Sequence, residues 1–156
     1  MIPTLAGVHH VKLPIADLDR SITWYTSRLG YRPVIEFRKR GRRTGSVLVH
    51  PAGGPELSLV LWPEKAHAAA GFDYFSIGVP DRASLHELAD HLTALGEQHA
   101  GVQFASIGWI LPRLHDPDGH EIRFYTHEHH TDHGADGVAT VHDPREAAER
   151  RAAEGE

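Results

Sequence analysis

His10-Val11-Lys12-Leu13-Pro14-Ile15-Ala16-Asp17 and, later in the chain, Tyr74-Phe75-Ser76-Ile77-Gly78-Val79-Pro80-Asp81 follow one pattern. Each is a short alternating run that closes on an aspartate. Side chains alternate across a strand, so Val11, Leu13 and Ile15 share one face, and so do Phe75, Ile77 and Val79. Each closing aspartate stands where a helix wants its N-cap, with a carboxylate ready to accept from the first unpaired N–H groups.

A helical pattern follows each strand. Ile22, Tyr25 and Leu29 recur at helical spacing and Gly30 ends the run; Leu85, Leu88, Ala89, Leu92 and Leu95 do the same before Gly96. Glycine after the last apolar position is a common helix stop. Three strand-like segments come next in each half, near residues 34–38, 46–49 and 56–62, then 102–105, 109–114 and 121–125. The hairpins before the last strands also match, His50-Pro51-Ala52-Gly53-Gly54-Pro55 lying over His115-Asp116-Pro117-Asp118-Gly119-His120, with Asp-Pro-Asp-Gly as strong turn chemistry. The sequence therefore predicts βαβββ twice. The modules span about 6–64 and 70–126 and join near Pro63–Phe72. Together they make one α+β domain over residues 1–126.

His10-Val11 with Asp17-Leu18 and Ser21, then Trp24-Tyr25, Leu29-Gly30 and the late Asp116-Pro117-Asp118-Gly119, resemble the vicinal oxygen chelate superfamily of glyoxalases, bleomycin-resistance proteins and extradiol dioxygenases. The resemblance covers about residues 6–126 and implies a cupped, incomplete barrel with helices outside. It also implies a homodimer, and a small-molecule site that in many members holds a divalent metal. Other members bind antibiotics without metal.

By that resemblance the metal positions fall on the first and last strand of each module, here His10, Ser58, Tyr74 and Arg123. A catalytic zinc wants about three N, O or S ligands and an open position, and a non-haem iron oxygenase wants two His and a carboxylate. His10 is the one good ligand of the four. Arginine keeps its proton in a protein and repels a cation. No metal or other cofactor is expected at the usual position. A displaced metal site built from His10, Glu56 and Glu121 is the alternative. It is strained by strand geometry, since a two-residue offset moves each glutamate about 7 Å.

The substituted positions suit other chemistry. Arg123 is a binder for carboxylate, phenolate, enolate or phosphate. His10 can take or give a proton, and Tyr74 can donate a hydrogen bond or stack on a ring. Lys12, Ser58 and Ser76 share their faces, and Trp62 and Trp109 can add aromatic walls, though Trp109 can equally face the helices. The leading expectation is a binding protein for an aromatic or anionic compound. A metal-free enzyme, with His10 as base, Tyr74 beside it and Arg123 holding developing negative charge, is the second. A metal-dependent lyase, isomerase or dioxygenase is the third.

Charge narrows the partners. Of 156 residues, 1–126 carry 13 basic and 13 acidic, while 127–156 carry 3 and 8 and so hold the whole net charge of −5. A neutral body gives no case for nucleic acid or an anionic membrane, and the run Arg38-Lys39-Arg40-Gly41-Arg42-Arg43 reads as a solvated turn. There is no cysteine, which excludes disulfides and thiol chemistry. No apolar run approaches a membrane span and no secretory signal is expected, so the cytoplasm is the expected compartment. Residues 127–156 read as a His-rich acidic tail with a short helix or no fixed structure.

Overall fold

A computed structural model describes Thr4 and residues 6–130. The expectations for the tail beyond His130 lie outside the described residues. The element order is β1 (His10–Ile15), α1 (Leu18–Leu29), β2 (Arg32–Lys39), β3 (Arg42–Val49), β4 (Glu56–Leu61), α2 (Pro63–Ala69), β5 (Asp73–Val79), α3 (Arg82–Ala94), β6 (Gln103–Phe104), β7 (Trp109–His115) and β8 (Glu121–Thr126).

The two sheets repeat each other, in order β1-β4-β3-β2 and β5-β8-β7-β6. In each, the first strand lies parallel to the last and the other neighbours are antiparallel. This is the expected α+β architecture of two βαβββ modules, and the described strands close no barrel.

The caps behave as the chemistry dictates. Asp17 accepts from Arg20 N at 2.9 Å and Asp81 from Ser84 N at 2.7 Å, each supplying an acceptor to an otherwise unpaired helix N-terminus. Gly30 stops α1 in the left-handed region at φ 74°, where a side chain is costly, and its N–H bonds back to Thr26 O. The join holds one element beyond the expectation, the seven-residue helix α2, with Pro63 in its first turn and Ala66 buried.

One core serves both halves. Leu13, Ile15, Leu57 and Leu59 pack in the same cluster as Leu111, Leu114, Ile122 and Phe124, with Tyr25 and Leu85 from the helices. Because β1, β4 and β8 turn alternate residues into this core, the residues between them lie on the opposite sheet face. On the last strand, Ile122 and Phe124 are buried while Glu121, Arg123 and Tyr125 are only partly covered. No helix among the described residues is long and apolar enough to cross a membrane.

Candidate functional site

The sheet faces turned away from the core carry the residues singled out above. In the first sheet the register pairs His10 with Glu56 and Lys12 with Ser58. In the second it pairs Asp73 with Glu121 and Ser76 with Arg123. Each last-strand position therefore meets the residue two beyond the first-strand histidine or tyrosine, so Ser58 neighbours Lys12 and Arg123 neighbours Ser76. His10 stands beside Glu56, and its Nδ1 lies 2.9 Å from that of His9. Tyr74 belongs to β5, and its side chain lies outside the described residues.

Arg123 is held by its own sheet. Nη2 lies 2.7 Å from Asp73 Oδ2 and 3.7 Å from Glu121 Oε1, with the side chain 35% exposed. Nε is buried and has no hydrogen-bond partner among the described residues. Glu121 is further engaged by the backbone: Arg113, in the left-handed region at φ 65°, donates its N–H to Glu121 Oε1 at 3.0 Å. Glu121 thus secures the irregular stretch of β7 as well as the arginine.

As a donor set for a divalent cation this surface fits poorly. A permanent cation occupies one of the four implied positions, a serine another, and Glu121 already accepts an N–H. Among the described residues, no three His, Cys, Asp or Glu side chains gather in a way that could hold a metal ion.

The two tryptophans diverge. Trp62 is exposed at the start of α2, with the Lys65 ammonium 5.9 Å from its ring centroid. Trp109 packs against the core, the Arg82 guanidinium of α3 sits 5.3 Å from its ring, and His130 meets it edge-on. It therefore faces the helix side, the second orientation the sequence allows.

Sequence reading assigned Asp-Pro-Asp-Gly to a turn, and it also forms a junction between the modules. Asp118 accepts from Ala16 N at 3.0 Å, Arg20 Nη2 at 3.0 Å and Ser21 Oγ at 3.2 Å. Tyr25 donates its hydroxyl to Asp116 Oδ2 at 2.8 Å, and His120 Nε2 lies 2.6 Å from Pro14 O. Burial, aided by the Asp116 charge, holds the Tyr25 hydroxyl well above its ordinary pKa of 10.0. Burial also raises Asp116, against the lowering effects of His120, the Tyr25 hydroxyl and two backbone N–H groups.

A sizeable recess lies elsewhere, between the modules: a cleft of about 930 Å³ bounded by the end of α1, the His50–Pro55 hairpin, β5 and α3. Of the site residues expected from sequence that the structure describes, Ser76 alone lines it.

The comparisons with known proteins agree with this architecture. The chain is 26% identical to a glyoxylase/bleomycin resistance protein/dioxygenase domain from Frankia sp. EAN1pec, over 83% of this chain and 96% of that one, at a TM-score of 0.64. A lactoylglutathione lyase from Agrobacterium tumefaciens shares the fold at 18% identity and TM-score 0.64, covering 80% of this chain and 96% of its own. TnmS3, an antibiotic binding protein from Streptomyces sp. CB03234, shares it at 16% identity and TM-score 0.65, covering 80% and 98%. No curated protein sequence matches the chain. The family model for the Glyoxalase/Bleomycin resistance protein/Dioxygenase superfamily matches residues 7–124, and the chain belongs to that superfamily.

Proposed function

We propose that the protein is a small-molecule binder of this superfamily whose metal position has been given up, and that Arg123 helps hold an aromatic or anionic compound against the open sheet face. One observation carries the reading: a guanidinium, braced at 2.7 Å by Asp73, stands beside Ser76 where the family resemblance implies a carboxylate ligand. A braced guanidinium is pre-oriented, so less side-chain freedom is lost when it meets a second acceptor. The antibiotic-binding neighbour lends this reading an analogy of fold, which by itself does not fix a ligand.

A second reading is metal-free proton transfer by His10, with Tyr74 and Arg123. The pairing of His10 with Glu56 in the register favours it, since it sets two groups able to carry a proton side by side on adjacent strands. A metal-dependent lyase, isomerase or dioxygenase with His10, Glu56 and Glu121 as ligands is the third.

Dimer formation fits the surface. β2 is an edge strand exposed along its length, with Ile35 48% and Phe37 45% exposed. Such an edge invites pairing or cover. A second copy would complete the open face, and light scattering reads the mass directly.

The test is a thermal-shift and calorimetric panel of benzoates, naphthoates and phenols on the full chain. Arg123→Met should weaken the best anionic binder by roughly tenfold, about 1.4 kcal/mol. Elemental analysis supplies the opposing arm. About one tightly bound metal per chain, lost in His10→Ala, would overturn the binder reading in favour of a metal enzyme.

A further inference from the structure

The repeat that builds two modules also builds two contacts between them, and among the described residues only one is filled. In the first, the late hairpin reaches back through Asp116, Asp118 and His120 to Tyr25, Ala16 N and Pro14 O. In the second, the His50–Pro55 hairpin faces β5 and α3. Matching the capping aspartates, Asp17 and Asp81, sets Leu88 and Ala89 where α1 has Trp24 and Tyr25, and Pro80 where Ala16 offers its N–H. Matching Gly54 with Gly119 sets Pro51, Gly53 and Pro55 where the late hairpin has Asp116, Asp118 and His120. Every replacement lacks the donor or acceptor its counterpart uses, and Leu88 and Ala89 are smaller than the tryptophan and tyrosine they replace.

The cleft of about 930 Å³ is what this loss leaves. Val11, Leu57, Phe75, Ile77, Leu88 and Phe124 supply apolar wall. His50 supplies a polar point. Its Nδ1 accepts from Ala52 N at 3.1 Å, so the neutral ring carries its proton on Nε2. Nε2 lies 3.6 Å from where a Cβ on Gly30 would sit, and both residues line the cleft. The volume is that of an ordinary ligand pocket, and an apolar recess with a few placed donors is the usual form of one.

We propose that this cleft is a second binding site, distinct from the Arg123 face, for a flat, largely apolar organic molecule carrying one anionic or carbonyl acceptor for His50 Nε2. Apolar wall supplies the driving force on burial, and the imidazole N–H fixes orientation. A recess of this depth suits a small molecule better than the flat surface of another copy.

The probe is 1-anilinonaphthalene-8-sulfonate, titrated by fluorescence against the full chain. Saturable binding is expected, with one site per chain that persists in Arg123→Met. Leu88→Trp and Ile77→Trp, which fill the cleft, should each raise Kd by roughly tenfold, His50→Phe by about threefold, and Arg123→Met should leave it unchanged. Should either tryptophan variant fail to melt cooperatively, His50→Phe, which keeps the apolar volume, carries the test. The proposal is overturned by absence of saturation, by an unchanged Kd in the folded cleft variants, or by a Kd that rises in Arg123→Met and so puts the dye on the other face. It is equally overturned if binding fades as protein concentration is raised, which would give the cleft to a second copy.

Discussion

The hairpin at Asp116–His120 and the hairpin at His50–Pro55 occupy equivalent places in the two modules, yet one is a fastening and the other is the wall of a cleft. The first presents two carboxylates and an imidazole to α1 and the end of β1. The second presents prolines and glycines, with Gly53 and Gly54 both near φ 90°. A repeated fold fixes where two surfaces face each other. Side chains then decide whether the space between them becomes stability or capacity.

The largest effect should come from emptying the filled contact. Tyr25 is fully buried, edge-on to Trp24 at 4.9 Å, and hydrogen-bonded to Asp116. Tyr25→Ala should cost about 3–5 kcal/mol in urea unfolding, as for other aromatic truncations in a core. A loss under about 1 kcal/mol would mean the contact closes up on its own and the contrast between the hairpins is weak.

Asp118→Ala comes next. It strips an acceptor from the Ala16 N–H, Arg20 and Ser21 together, and should cost about 1–3 kcal/mol. Gly53 has no side chain to remove, so the matched comparison is Ala52→Ser at the exposed tip, which should stay within about 0.5 kcal/mol. Equal losses at the two hairpins would break the comparison.

Asp116 sharpens it through pH. Burial raises its folded pKa above the ordinary 3.8, so the folded state binds this proton more tightly than the unfolded chain. Its stabilising contribution is complete below 3.8 and is lost as pH rises through the raised value. Asp116→Asn does not titrate. Wild-type stability should therefore fall relative to that variant across this window, read from urea midpoints at stepped pH. Parallel curves would refute the sign. Asp81 runs the other way and gives the smallest effect. Hydrogen bonds from Ser84 lower its pKa, so its contribution is present above 3.8 and disappears as pH falls through the lowered value. Loss of α3 signal in circular dichroism at the acid end, absent in Asp81→Asn, would report it.

Much of the fold is written in local chemistry. Alternation marks β1 and β5, the aspartates begin α1 and α3, and Gly30 ends α1, because each depends on residues a few positions apart. Helix α2 escaped because seven residues hold no full amphipathic period and Pro63 reads equally well as a linker. The placement of His10, Glu56, Ser58 and Arg123 on sheet faces away from the core was legible for the same local reason. Their partners were not: Asp73 reaches Arg123 across strands, and a two-residue difference in register decided that His10 neighbours Glu56. The cleft was invisible because no residue announces it. It arises from what Leu88, Ala89, Pro80 and Gly53 lack relative to counterparts far away in the chain.

The reach of Asp118 has a consequence for synthesis. Its partners Ala16, Arg20 and Ser21 lie 102, 98 and 97 positions earlier. A chain made from its N-terminus can form the first helix early, but the residue that secures that helix leaves the ribosome about a hundred residues later. Until then Tyr25 has no Asp116 and Pro14 O no His120, so the nascent first half waits, with its aromatic face uncovered, for the Asp116–His120 hairpin to arrive.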